Sequence, residues 1–230
     1  MRRLALSLLI LALTVRLPAD PPPLLAEAAQ RWLDERERWT FTQTVRETDG
    51  GGRVRERVEH YDATRGSEHR WQLIRLDGRE PSAAEVEEWS RRKNRNRGKP
   101  VKPLAEYVDL DNTRVVKADA RSVSYSVPLR SPAGLIFPVD KVNVILTVGK
   151  ASRAIERAQA DINAPFAVAL GLARIVDLDL DLTVPADQAS GEAGESPQGT
   201  ATAVVNKLGR RVEYSWSEFA LASAPAGSRR

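Results

Sequence analysis

The chain has 230 residues, with 35 Lys and Arg against 31 Asp and Glu, two His and no Cys. The lack of cysteine excludes disulfides, thiolate metal sites, cysteine nucleophiles and a lipid-modified N-terminal cysteine. The formal charge of +4 resides mainly in the first 19 residues: without Arg2, Arg3 and Arg16 the balance is 32 against 31, too even for the basic excess of a nucleic-acid binder.

Arg2 and Arg3 lead into an apolar run from Leu4 to Val15, ended by Arg16. A bilayer span takes about 20 apolar residues, so this run is too short to cross one and has the layout of a secretory signal. Residues 1–19 are therefore predicted to be a signal peptide cut near Leu17-Pro18-Ala19, with Asp20 opening a soluble periplasmic form. No later apolar run reaches bilayer length. The rest suits a single β domain over 20–221, rich enough in Trp, Val, Leu and Ile to build a core without covalent staples, followed by a disordered tail over 222–230.

After Prolines 21–23, Leu25, Ala28, Ala29, Trp32 and Leu33 recur at helical spacing and predict an amphipathic helix over about 23–37. The period then drops to two. Trp39, Phe41 and Val45 alternate with Thr40, Thr42, Thr44 and Arg46, the pattern of a half-buried strand. Asp49-Gly50-Gly51-Gly52 predicts a hairpin turn, 53–61 returns with Val54 and Val58 on one face, and a third strand runs from Trp71 to Leu76.

Ser82-Ala83-Ala84-Glu85 is a capping box opening a helix over about 82–97. Glu85, Glu87 and Glu88 fill its first half and Arg91, Arg92, Lys93, Arg95 and Arg97 its second, the order that the helix dipole favours.

From about 113 the chain alternates almost throughout. Val123, Tyr125, Val127 and Leu129 are followed by Val142 to Val148, then by Ala154, Ala158, Ala160 and Ile162. Pro165 to Ala173 reads as either a short helix or a bent connection. Val176, Leu178, Leu180, Leu182 and Val184 alternate with Asp177, Asp179 and Asp181; Ala189 to Gly199 reads as a loop; Val212, Tyr214 and Trp216 mark the last strand.

Nine or ten strands with one wet face each require an antiparallel sheet covered on one side, and a sheet that size must curl, split or close. The expected fold is mainly β (α+β): a strongly curved antiparallel half-barrel with an N-terminal helix and one inserted helix over its concave face. A two-sheet sandwich is the alternative.

This layout of leader, amphipathic helix, hairpins, inserted helix and further strands resembles the LolA/LolB lipoprotein-carrier fold, shared by the sensor domain of RseB and by several mycobacterial lipid-binding lipoproteins. The likeness is architectural and covers about 24–220. It implies a periplasmic protein carrying a lipid, acyl chain or lipoprotein. Tyr61-Asp62, Gly66, Trp71-Gln72-Leu73, Asp77-Gly78 and Pro81 are also similar to a stretch in a group of secreted bacterial proteins that has no assigned activity.

Few residues offer chemistry. His60, Asp62 and His69 flank a predicted turn without metal-ligand spacing, and read as solvated loop-edge residues. Asp177, Asp179 and Asp181 stand about 6.5–7 Å apart along one strand face, too far for all three to reach one ion. No nucleophile elbow, phosphate loop or dinucleotide fingerprint occurs, so a non-catalytic protein without cofactor or metal is expected.

Two sets remain. Trp32, Trp39, Phe41, Trp71, Tyr125, Tyr214 and Trp216 fall on inward faces, either as ordinary core or as the lining of an apolar ligand cavity. The helix bearing Trp89, Arg91, Arg92, Lys93, Arg95 and Arg97 has a narrow apolar face, as a loosely seated lid has. Its basic end suits lipid head groups or an acidic partner. The two readings are a lipid, acyl-chain or lipoprotein carrier with peripheral membrane contact, and a non-catalytic envelope sensor or structural module that binds a protein partner.

Overall fold

A computed structural model describes residues 22–35, 38–66, 69–94, 108–130, 138–185 and 196–222. The expected leader over 1–19, the positions Arg95 and Arg97, and the tail beyond Ala222 lie outside the described residues.

Helix α1 (Pro23–Glu35) leads into a β1 (Trp39–Thr48), β2 (Val54–Asp62) and β3 (Trp71–Leu76) meander. Helix α2 (Ala83–Asn94) follows, and then β4 (Arg114–Ala118), β5 (Ser122–Ser126), β6 (Val142–Gly149), β7 (Ile155–Ile162), β8 (Phe166–Val168), β9 (Ala173–Thr183), β10 (Gln198–Lys207) and β11 (Arg210–Leu221). All 11 strands join one antiparallel sheet in the order β3-β2-β1-β11-β10-β9-β7-β6-β5-β4, with β8 on β9. The sheet is curved and unclosed, as the one-faced strands require, and the sandwich alternative falls away.

The cross-strand register defines the covered face. Phe41 pairs with Tyr61, Gln43 with Glu59 and Trp216, Ala201 with Trp216 and Leu180, and Leu146 with Ala158 and Tyr125. Both helices pack on this face. Leu25 and Ala28 of α1 bury against Tyr125, Leu146, Val148 and Ala158. The Glu27–Arg153 ion pair and a 3.1 Å bond from Arg31 Nη1 to Ser152 O tie the same helix to the β6–β7 turn.

The structure departs from the sequence reading in four places. Strand β10 lies partly inside the stretch read as a loop, because its inward positions are the small Ala201 and Ala203, too weak a signal to mark a strand. The 165–173 stretch, open between a short helix and a bent connection, begins with the strand β8 and then forms a one-turn 3-10 helix, Ala169–Gly171. The face shared by Val54 and Val58 is the outer one, and Arg57, Glu59 and Tyr61 point inward with Val45, Gln43 and Phe41.

Fourth, β11 carries a bulge. Thr40 pairs with Ala220 but Thr42 with Ser217, so Glu218 and Phe219 together oppose Phe41. Glu218 takes φ 55 and stays on the outer face, accepting a 2.5 Å bond from Thr42 Oγ1. The extra residue turns Phe219 and Leu221 inward, where strict alternation from Trp216 would have aimed Glu218 and Ala220.

Candidate functional site

The aromatic residues of the concave face form a run of touching rings. Trp32 stands 5.2 Å from Trp39, Trp39 6.4 Å from Phe219, Phe219 6.0 Å from Phe41, and Phe41 4.9 Å from Tyr61 and 5.6 Å from Trp71. Tyr214 and Trp216 stack at 5.8 Å as a separate pair, and Tyr125 belongs to the core under α1. The seven residues singled out from the sequence therefore all serve the inward side, but they pack in three groups. Phe219 and Tyr61 complete the run; simple alternation misses Phe219 because of the bulge. Among the described residues Trp39 Nε1 is buried without a hydrogen-bond partner.

An open cleft lies elsewhere. Between α2 and the β1–β2–β3 end of the sheet is a space of about 890 Å³. Its wall carries Arg53, Arg55, Arg57, Arg79, Arg92, Lys93 and Arg210 facing Glu47, Asp49, Glu56, Glu59, Asp77, Glu85 and Glu88, with Leu73, Leu76 and Trp89 as apolar members. None of the seven expected cavity aromatics lines it.

Helix α2 forms one wall, and its seating explains the basic run. Its capping box is formed: Ser82 N donates to Glu85 Oε2 at 2.8 Å and Glu85 N to Ser82 Oγ at 3.4 Å, and Glu85 also receives Arg79 Nη2 at 2.6 Å. Arg79 and Ser82 lower the Glu85 carboxyl to about 2. Arg91 and Arg92 pair with Glu87 and Glu88 one turn back, so neither charge is uncommitted.

Lys93 turns the other way. It meets Glu59 Oε2 at 2.5 Å and lies 3.6 Å from the centre of the Trp71 ring, while Trp89 Nε1 donates to Glu59 Oε1 at 2.9 Å. Glu59 is only 1% exposed and also accepts from Arg57 Nε at 2.8 Å. Burial pushes its carboxyl up, but Lys93, Trp89 and Arg57 outweigh that and hold it below its ordinary 4.5. No side chain of α2 is itself fully buried among the described residues, so this carboxylate is the main polar fastening of α2 to the sheet. A glutamate on a strand among arginines carries no motif, so no signal in the sequence singles it out.

The other candidates are quiet. His60 sits on the outer face, its Nδ1 3.4 Å from Thr42 Oγ1; the Asp62 carboxylate is occupied by Thr64 and Arg65; His69 N donates to Gly66 O. Asp181 is ion-paired with Arg157 and bonded by Gln159. Among the described residues no group of three His, Asp or Glu side chains could hold a metal ion, and no helix is long and apolar enough to cross a membrane.

No protein-family model matches the chain, and no curated protein does. Among solved structures it is similar to MucB, from the crystal structure of MucB in complex with MucA(peri), at 12% identity over 85% of this chain and 92% of that chain, with a TM-score of 0.19. A likeness that slight carries no argument about function.

Proposed function

We propose that this is an exported, non-catalytic binding module of the cell envelope that holds a polypeptide segment of a partner protein in the cleft beneath α2. The observation that carries this reading is the cleft wall: charged side chains of both signs around a few apolar ones. An acyl chain would desolvate those charges and offer them no further partner, whereas a peptide supplies backbone and side-chain partners for both signs. Export rests on the layout of residues 1–19, and N-terminal sequencing of the periplasmic protein is expected to start near Asp20.

Photo-crosslinking in the native host tests the reading. A cross-linker at Arg55 or Trp89, in the cleft, is expected to trap one protein partner, and one at Thr44 on the outer face is not. The second reading, a carrier of a lipid, acyl chain or lipoprotein, draws on the aromatic run and on the Trp39 N–H within it, which has no hydrogen-bond partner among the described residues. Organic extraction of the purified native protein separates the two: a stoichiometric apolar ligand with no cleft-specific cross-link would establish the carrier and remove the peptide reading.

A further inference from the structure

Three neighbouring hairpin turns share one rim of the sheet, because the strands run β2-β1-β11-β10-β9 with β8 on β9. A Cβ built on Gly50 of the β1–β2 turn would lie 4.0 Å from Gly209 O of the β10–β11 turn, and Lys207 beside that turn pairs with Ala173 beside the β8–β9 turn. Leu208 is 72% exposed and Leu172 59%, the two most exposed large apolar side chains described, and Val54 on the same rim is 44% exposed.

Local structure does not explain these leucines. Leu208 holds φ 49 in a two-residue turn, followed by Gly209 at φ 77, a position where Asn, Asp or Gly is favoured and a branched apolar side chain is strained. In the β8–β9 turn the strained residue is Ala169, at φ 51, and Leu172 itself takes an ordinary helical φ of −69. An apolar residue kept in a strained turn and facing water suits contact with another surface.

The charge says which. A register row links Arg55, Glu47, Val212, Val205 and Ile175. From it outward the three turns carry the cations Arg53, Arg55, Arg174, Lys207, Arg210 and Arg211 against the carboxylates Glu47 and Asp49. Arg210 pairs with Glu47 and Arg211 with Glu213. We propose that this rim docks on an anionic lipid surface, with Leu208 and Leu172 entering the interfacial layer and Lys207 and Arg174 lying against lipid phosphates. Projecting turn tips in a basic collar suit a fluid surface that closes around them, and each cation near such a surface adds attraction.

None of Leu172, Leu208, Lys207 and Arg174 lines the cleft, so this inference stands or falls apart from the peptide reading. The test is sedimentation of the full mature chain with phosphatidylcholine vesicles, with and without phosphatidylglycerol, at low and high salt. Wild type is expected to sediment with the anionic vesicles only, and less at high salt. Leu208→Asn should weaken binding about tenfold, Leu172→Gln should weaken it as well, and Lys207→Gln about fivefold. Arg91→Gln with Arg92→Gln, on α2, should leave it unchanged. Asn suits the turn, so Leu208→Asn is expected to melt no lower than wild type. Absent binding, equal binding to neutral vesicles, or binding indifferent to Leu208 would overturn the proposal. Capture of an acidic, leucine-bearing synthetic peptide at this rim without vesicle binding would overturn it too.

Discussion

Lys93 of α2 and Glu59 of β2 meet at 2.5 Å beneath the helix, with the carboxylate almost wholly removed from water. The pair joins two residues that stand 34 positions apart in the sequence. A carboxylate at this depth is tolerable because Arg57 and Trp89 satisfy it as well, and removing one partner of such a group costs more than the intact arrangement contributes.

Glu59→Ala is accordingly expected to destabilise the protein by about 1–3 kcal/mol, since it removes the carboxylate that Lys93, Arg57 and Trp89 share. The loss should be local. Amide exchange in α2 should rise well above that in α1, whose seat is the apolar contact of Leu25 and Ala28. Equal acceleration in both helices would show that Glu59 does not fasten α2.

Acid should loosen the seating of α2. Glu59 and Glu85 both titrate below their ordinary 4.5 in the folded protein, Glu85 at about 2. A depressed folded value means stability present above the unfolded value and lost as pH falls through the folded one. The free energy of local opening in α2, read from its amide protection factors, should therefore fall as pH drops from about 4.5 toward 2 and stay flat above that range. Glu85→Gln should remove the capping-box part of this response. A transition centred near neutral pH would contradict the assignment.

Leu25→Ala should cost about 3 kcal/mol in urea unfolding, because the side chain is 0% exposed between α1 and the sheet. Phe219→Ala should cost about 2–3 kcal/mol, as it opens a gap between Trp39 and Phe41. Ala220→Ser, on the outer side of the bulge, should stay within about 0.5 kcal/mol. A larger loss at Ala220 than at Phe219 would show that the β11 register has slipped by one.

Gly199→Ala should destabilise the β9–β10 pair by about 2 kcal/mol. A Cβ there would stand 2.2 Å from Asp181 O, a backbone atom that cannot move aside without breaking the ladder. A thermal melt beside one of Gly66→Ala, where no atom of the described residues lies within 4 Å of the added Cβ, checks this: equal melting temperatures would refute the close approach.

Local regularities are legible in the amino-acid order alone. The period-two runs of β1, β5, β6 and β9, the capping box of α2 and the glycine turn after Asp49 each depend on residues close in the chain, and together they imply an antiparallel β fold with two helices, as a curved sheet or a sandwich. Tertiary structure alone decided the rest, for physical reasons that local pattern does not encode. The β11 bulge inserts one residue into the alternation and so reverses which side chains beyond it face inward. Strand β10 is held by its two neighbours rather than by apolar side chains of its own. Glu59 is acceptable inside only because Lys93, Trp89 and Arg57 reach it from other turns of the chain, and the cleft exists only because α2 is fastened at that point over β2 and β3. Interior polarity of this kind is a property of partners brought together by folding, and no single strand carries its signature.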